Sequence, residues 1–149
     1  MIEIVFASDE VSRNAHRELY RLDEQAYIIV TDNLIETITQ FKGDPNKLHV
    51  SSNWADITRL AVWRPEPKAG DVFFLLRNIG ITSEELLPFR DAGIADLFPW
   101  LYYGKRVDVL RKICLAAKAN VEKHIENKDV RIHCHLTSEE TNRIVASSL

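Results

Sequence analysis

Cysteine is scarce in this chain. Cys114 and Cys134 are the only two, too few for a disulfide framework, so a reduced, cytoplasmic protein is the expectation. Long apolar runs are missing as well. No stretch approaches the ~18 residues of a membrane span, and Glu3 and Asp9 interrupt the N-terminal segment where a signal peptide would need its apolar core. Only five glycines occur, and no GxGxxG or Gly/Ser/Thr-rich phosphate loop follows the first apolar segment, which argues against a dinucleotide cradle. There is no CxxC or HxxxH pair to announce a metal site. Repeats and low-complexity tracts are absent too. The net charge of −3 gives no global reason to expect nucleic acid.

What is present fits one α/β domain. A chain of 149 residues with 46% hydrophobic content buries a full core. Charge is uneven: residues 1–45 carry nine acids and four bases, whereas residues 105–128 carry seven bases and three acids. The opening reads as a strand, Ile2 to Ala7, then an acidic turn, Ser8-Asp9-Glu10, then an amphipathic helix with Val11, Ala15, Leu19 and Leu22 inward. That order puts carboxylates at the C-terminal edge of a central strand, where open α/β sheets bind ligands. A second strand is expected over Ala26 to Thr31, with a helix after it capped by Asp32 or Asn33. A third strand, Leu48 to Ser51, leads into a helix capped by Asn53. Val72 to Leu76 has no polar break and is expected as a fourth strand buried on both faces. Ser83 is expected to cap a short helix. Ala95 to Leu101 is expected as an aromatic fifth strand, and Lys105 to Lys128 as a long helix. The expected fold is a five-stranded parallel sheet in the order 2-1-3-4-5 with helices on both faces. Residues 1–128 form this domain. Residues 129–149 read as an extension, with strand Val130 to Leu136 and a helix from Ser138, or as the start of a further output module.

Four blocks together resemble the receiver domain of two-component response regulators over about residues 1–117: IEIVFASDEVSR, YIIVTDNLIETITQF, FFLLRN and AGIADLFPW. The resemblance implies a flavodoxin-like, three-layer fold and a signalling role. The acid pair that holds Mg²⁺ in receivers reads Ser8-Asp9 here, followed by Glu10. Ser51-Ser52-Asn53 stands where the phosphoacceptor Asp belongs. Arg77-Asn78 replaces the Ser or Thr, and Trp100 falls where the family's lysine is expected. Aspartyl phosphate chemistry needs a carboxylate nucleophile, a divalent cation and a fixed positive charge. The resemblance therefore implies a degenerate receiver that binds partners without phosphotransfer. Its remnant pocket would comprise Ser8, Asp9, Glu10, Ser51, Ser52, Asn53, Arg77 and Trp100, with Mg²⁺ weak or unbound.

Other residues have two readings each. Arg77 either replaces the metal beside Asp9 and Glu10 or faces solvent. His49 lies two residues before Ser51 on the same strand face, but no third group orients the pair as a Ser–His nucleophile requires. Trp100, Tyr102 and Tyr103 suit an interface, with Phe98 and Leu101 in the core. The long helix carries Leu110, Ala117 and Val121 on a stripe that would project beyond the domain and join that interface. Its basic residues read as a solvated face more than as a nucleic-acid site. His133 and His135 share one strand face, and His49, His124 or Cys114 would complete a metal site with them. Without supporting spacing, a polar strand face is the expectation, with no metal and no cofactor. The sequence thus points to a non-enzymatic interaction module with a protein partner or a second copy of itself. A nucleotide or flavin binder and a small α/β enzyme, built on Asp9, Glu10 and His49, are the alternatives.

Overall fold

The structure is a computed structural model and describes residues 2–149. Strand β1 (Glu3–Ala7) is the central apolar segment expected. Asp9 then adopts extended backbone, and its Oδ1 accepts a hydrogen bond from the Ser12 N–H at 2.7 Å, starting α1 (Glu10–Tyr20). Strand β2 (Tyr27–Ile29) is followed by α2 (Leu34–Gln40), capped by Asn33. Strand β3 (Lys47–Ser52) runs into α3 (Trp54–Val62), capped by Asn53. Five α-helices and intervening turns fill residues 53–130: α3, α4 (Ala69–Ile79), α5 (Ser83–Leu86), α6 (Leu97–Tyr103) and α7 (Val107–His124). The chain then returns as β4 (Arg131–Ser138) and β5 (Arg143–Ser147).

The sheet order is β2-β1-β3-β4-β5. β1, β2, β3 and β4 are parallel, but β5 is antiparallel to β4, so the sheet is mixed rather than all-parallel. The strands expected fourth and fifth are helical. Val72, Leu76 and Ile79 recur at helical spacing, and Val72 and Leu76 are fully buried while Phe74 is 61% exposed. Asp71 Oδ2 accepts the Lys68 N–H at 2.9 Å at one end of this helix, and Gly80 takes a φ of +124° at the other, a value that favours glycine. The aromatic run is a 3-10 turn, Ile94–Asp96, leading into α6.

Residues 129–149, expected as an extension, supply two of the five strands, and the expected helix from Ser138 is β5. Ile28 and Ile29 are partly exposed on β2, at the edge of the sheet. Thr82 rather than Ser83 caps α5. On α1 the buried residues are Ser12, Ala15 and His16, whereas Leu19, expected inward, is exposed.

The cross-strand register sorts the sheet into two unlike faces. On one face Leu48, Val50, Ile132, Cys134 and Leu136 are buried in an apolar layer beneath α3 and α7. On the other, the row Tyr27–Val5–His49–His133 lies next to the row Ile29–Ala7–Ser51–His135–Ser147. Helix α1 crosses this second face and contacts all five strands.

The helical assignment of 69–79 has a direct check. Leu76→Ala should cost about 2–5 kcal/mol, while Phe74→Ala stays within about 0.5 kcal/mol. Chemical denaturation reads both. Comparable losses at the two positions would indicate a strand buried on both sides.

Candidate functional site

Two places gather chemistry-bearing side chains. The first is the crevice at the C-terminal ends of β1 and β3. The chain leaves β1 toward β2 on one side and later reaches β3 on the other, so this is the switch point of the sheet. Ser8, Asp9, Ser51, Ser52 and Asn53 lie here. Their hydrogen bonds are internal. Asp9 Oδ1 is taken by the Ser12 N–H, and Asp9 Oδ2 accepts from Asn53 Nδ2 at 3.0 Å. Asn53 Oδ1 accepts the Asp56 N–H at 2.9 Å, and the Asn53 N–H donates to Ser8 Oγ at 3.1 Å. The caps of α1 and α3 therefore bond to each other. Ser51 Oγ donates to the Ser12 carbonyl at 2.9 Å, Ser12 Oγ meets Thr137 Oγ1 at 2.6 Å, and Thr137 Oγ1 donates to the Ser52 carbonyl at 3.2 Å.

Several expected members lie elsewhere. Glu10 is exposed on the first turn of α1. Arg77 lies on the exposed side of α4, along a groove with Phe73, Leu87 and Arg90, and makes no ion pair with Asp9 or Glu10 among the described residues. Trp100 is on α6, its ring 4.7 Å from Phe89. Neither residue ends a strand. Of the interface candidates, Leu110, Ala117 and Val121 are fully buried in the core, so they are not surface residues. Trp100 and Tyr102 are half-buried, and Tyr103 is exposed with its hydroxyl donating to Glu140.

Next to the crevice, at the ends of β3 and β4, lies a cleft of about 360 Å³ lined by Trp54, Phe98, Pro99, Ser138, Glu139 and Glu140, among others. The Trp54 indole N–H donates to the Ile94 carbonyl at 2.9 Å, which fixes its ring.

The second place is the sheet face beneath α1. His16 on α1, His49 on β3 and His135 on β4 come together there, each buried, with one ring nitrogen from each within 4.8 Å of the others. His49 Nδ1 and His135 Nε2 are 3.1 Å apart. Three of the four remaining nitrogens have partners outside the triad: His16 Nδ1 with Tyr27 Oη at 2.8 Å, His49 Nε2 with Glu3 Oε1 at 3.2 Å, and His135 Nδ1 with Ser147 Oγ at 2.7 Å. Among the described residues His16 Nε2 has no hydrogen-bond partner, though it is buried, a state that costs about 1–3 kcal/mol. The Tyr20 ring stacks on His16 at 4.4 Å.

Sequence reasoning found His49, His133 and His135 but missed His16. Its signal was its place one turn after Ser12 on the inward face of α1, opposite a His-x-His strand. His133 is half-buried and stacks on His49 at 5.4 Å, outside the triad. His124 stacks on Trp63 instead, and its Nδ1 bonds the Asn120 carbonyl. Cys114 and Cys134 are buried in the apolar layer on the other side of the sheet. Burial raises the Cys114 thiol to about 12 and Cys134 well above its ordinary value, so both are inert thiols.

Burial also shifts the imidazoles. It lowers His16 to about 3, with the nearby His49 adding to the effect, and lowers His135 to about 2, with His16, His49 and His133 contributing. His49 is lowered by burial against the opposing pull of Glu3. The triad is neutral at pH 7. No protein-family model, curated protein or solved structure matches the chain.

Stability should follow from these shifts. A histidine held below its unfolded value of about 6.5 binds its proton only in the unfolded chain at intermediate pH. Its contribution is complete above about pH 6.5 and is lost as pH falls toward the folded value. His16 and His135 together predict that the metal-free protein loses about 2–3 kcal/mol of stability per pH unit between pH 6 and 4. His16→Gln should flatten that slope by about one proton. Urea unfolding at several pH values measures it, and a pH-independent stability, or an unchanged slope in the variant, would contradict the assignment.

Proposed function

We propose that this chain is a non-enzymatic regulatory module that acts by binding a partner protein, as a receiver-like fold without phosphotransfer would. The observation that carries this reading is the use made of Asp9. A carboxylate acting as nucleophile or Mg²⁺ ligand needs a free oxygen facing the crevice. Both oxygens of Asp9 are instead committed, one to the start of α1 and the other to the cap of α3. The acid at the switch point thus serves as a bolt. The order of β1, α1, β2, α2 and β3 supports the receiver resemblance over that part of the chain. The blocks FFLLRN and AGIADLFPW, which fall in or beside helices, lend it nothing.

The contact surface in this reading is the cleft at the ends of β3 and β4. Trp54 and Phe98 provide aromatic wall, and Glu139 and Glu140 provide an acidic rim that Tyr103 steadies through its bond to Glu140. Aromatic rings beside carboxylates suit a cationic side chain with an aliphatic stem, so the partner segment is lysine- or arginine-bearing.

Incubation with acetyl phosphate and Mg²⁺, read by intact mass, should add no phosphoryl group. Titration of ¹⁵N-labelled protein with short basic and acidic peptides should shift the Trp54 indole and the Glu139 and Glu140 amides with the basic series alone, an effect that Glu139→Lys with Glu140→Lys abolishes. A phosphoryl group mapping to Asp9 or Ser51 would defeat the non-enzymatic reading, and shifts with the acidic series would defeat the choice of surface.

A further inference from the structure

We propose that His16, His49 and His135 bind one divalent transition-metal ion of the zinc class between α1 and the sheet. The site is separate from the strand-end crevice and does not depend on the partner-binding reading.

The ring nitrogens divide into two sets. Tyr27 Oη, Glu3 Oε1 and Ser147 Oγ each hold one nitrogen of one histidine. Of the other three, His49 Nδ1 and His135 Nε2 share a hydrogen bond at 3.1 Å, and His16 Nε2 is buried with no partner among the described residues. A metal-ligating histidine characteristically donates its other N–H to a carboxylate, hydroxyl or carbonyl, which fixes the tautomer and aims the lone pair. Without an ion, His49 Nε2–H donates to Glu3, so His135 Nε2–H donates to His49 Nδ1 and the Ser147 hydroxyl donates to His135 Nδ1. Metal binding moves the His135 proton to Nδ1, and N–H at Nδ1 of His16, at Nε2 of His49 and at Nδ1 of His135 then satisfies all three outer contacts. The same set frees all three inner lone pairs. The partnerless nitrogen of His16 then has an occupant to face.

Distances and charge agree with this. Zn–N bonds of ~2.0–2.1 Å at tetrahedral angles place ligand nitrogens ~3.3–3.4 Å apart. The His49–His135 separation is 3.1 Å, and the third nitrogen is within 4.8 Å, so closing the site asks for a shift of roughly 1–1.5 Å at the tip of the His16 ring. Neutral imidazoles leave the ion's double charge to be balanced, and the Glu3 carboxylate behind His49 supplies one negative charge next to the site. Three nitrogens select zinc, cobalt, nickel or copper ions and select against Mg²⁺ and Ca²⁺, which prefer oxygen. The triad is buried on all sides, so the ion ties α1 to β3 and β4 and meets no large substrate.

The test uses chelator-stripped full-length protein. Equilibrium dialysis with metal analysis should find one Zn²⁺ per chain, displaced by Co²⁺ and indifferent to excess Mg²⁺. His16→Gln and His135→Gln, with folding verified by circular dichroism, should weaken binding at least about 100-fold, and Glu3→Gln about 10–100-fold. His124→Gln, remote from the triad, should leave it unchanged. Co²⁺-loaded wild type should give the intense visible absorption of tetrahedral nitrogen coordination. The last reading needs no variant and decides the matter if His16→Gln does not fold. The proposal is overturned if no ion is retained, if His16→Gln retains it, if His124→Gln loses it, or if the cobalt spectrum is that of an octahedral, oxygen-ligated ion.

Discussion

The structure depends on how α1 is held over a sheet face that is not apolar. Beneath α3 and α7, burial of Leu48, Val50, Ile132 and Leu136 supplies the usual driving force. Beneath α1, the two central rows carry His49, Ser51, His133 and His135, and burying such groups costs free energy unless each finds a hydrogen-bond partner. Nearly every one does. Ser51 reaches the α1 backbone, His135 reaches Ser147 on the edge strand, and His49 reaches Glu3. The antiparallel β5 is therefore part of the same polar layer, since it delivers the Ser147 hydroxyl. Among the described residues, His16 Nε2 has no partner on this face, and Ser52 Oγ and Ser138 Oγ have none at the strand ends.

This constraint relocates the chemistry of the fold. In a doubly wound sheet the reactive groups are expected at the strand ends, where loops can present them. Here the strand-end carboxylate and amide hold α1 and α3 in place through Asp9 and Asn53, and three imidazoles gather on the face of the sheet. A site built on strands and a helix is more rigid than one built on loops. Such rigidity suits an ion that stays bound better than a substrate that turns over. The two functional proposals accordingly occupy separate parts of the molecule: a closed imidazole site beneath α1, and an open aromatic-acidic cleft at the ends of β3 and β4.

What was legible in the sequence was local. The strand before Asp9, the caps at Asn33 and Asn53, and β3 all announce themselves within a few residues, because a cap or an alternating run carries its own hydrogen-bond logic. Val72 to Leu76 misled because Val-Phe-Phe-Leu-Leu is apolar at every position and so satisfies helix and strand alike. The wider spacing to Ile79 and the Gly80 stop were the discriminating marks. The tail was set apart because β4 finds its neighbour β3 across the whole helical segment, a pairing no local pattern encodes. His16 was missed for the same reason. Its partners lie on two other elements, and one histidine on an amphipathic helix gives no spacing motif.

Long-range ¹H–¹⁵N NMR of the histidine rings in metal-free protein from pH 7.5 to 5 reads the charge and tautomer of each imidazole in the buried layer. The His16 and His135 rings should stay neutral across this range, His49 should take up its proton below the ordinary value, and its neutral form should carry the proton on Nε2 facing Glu3. Titration of any of the three near the ordinary value of about 6.5, or a His49 proton residing on Nδ1, would contradict this assignment.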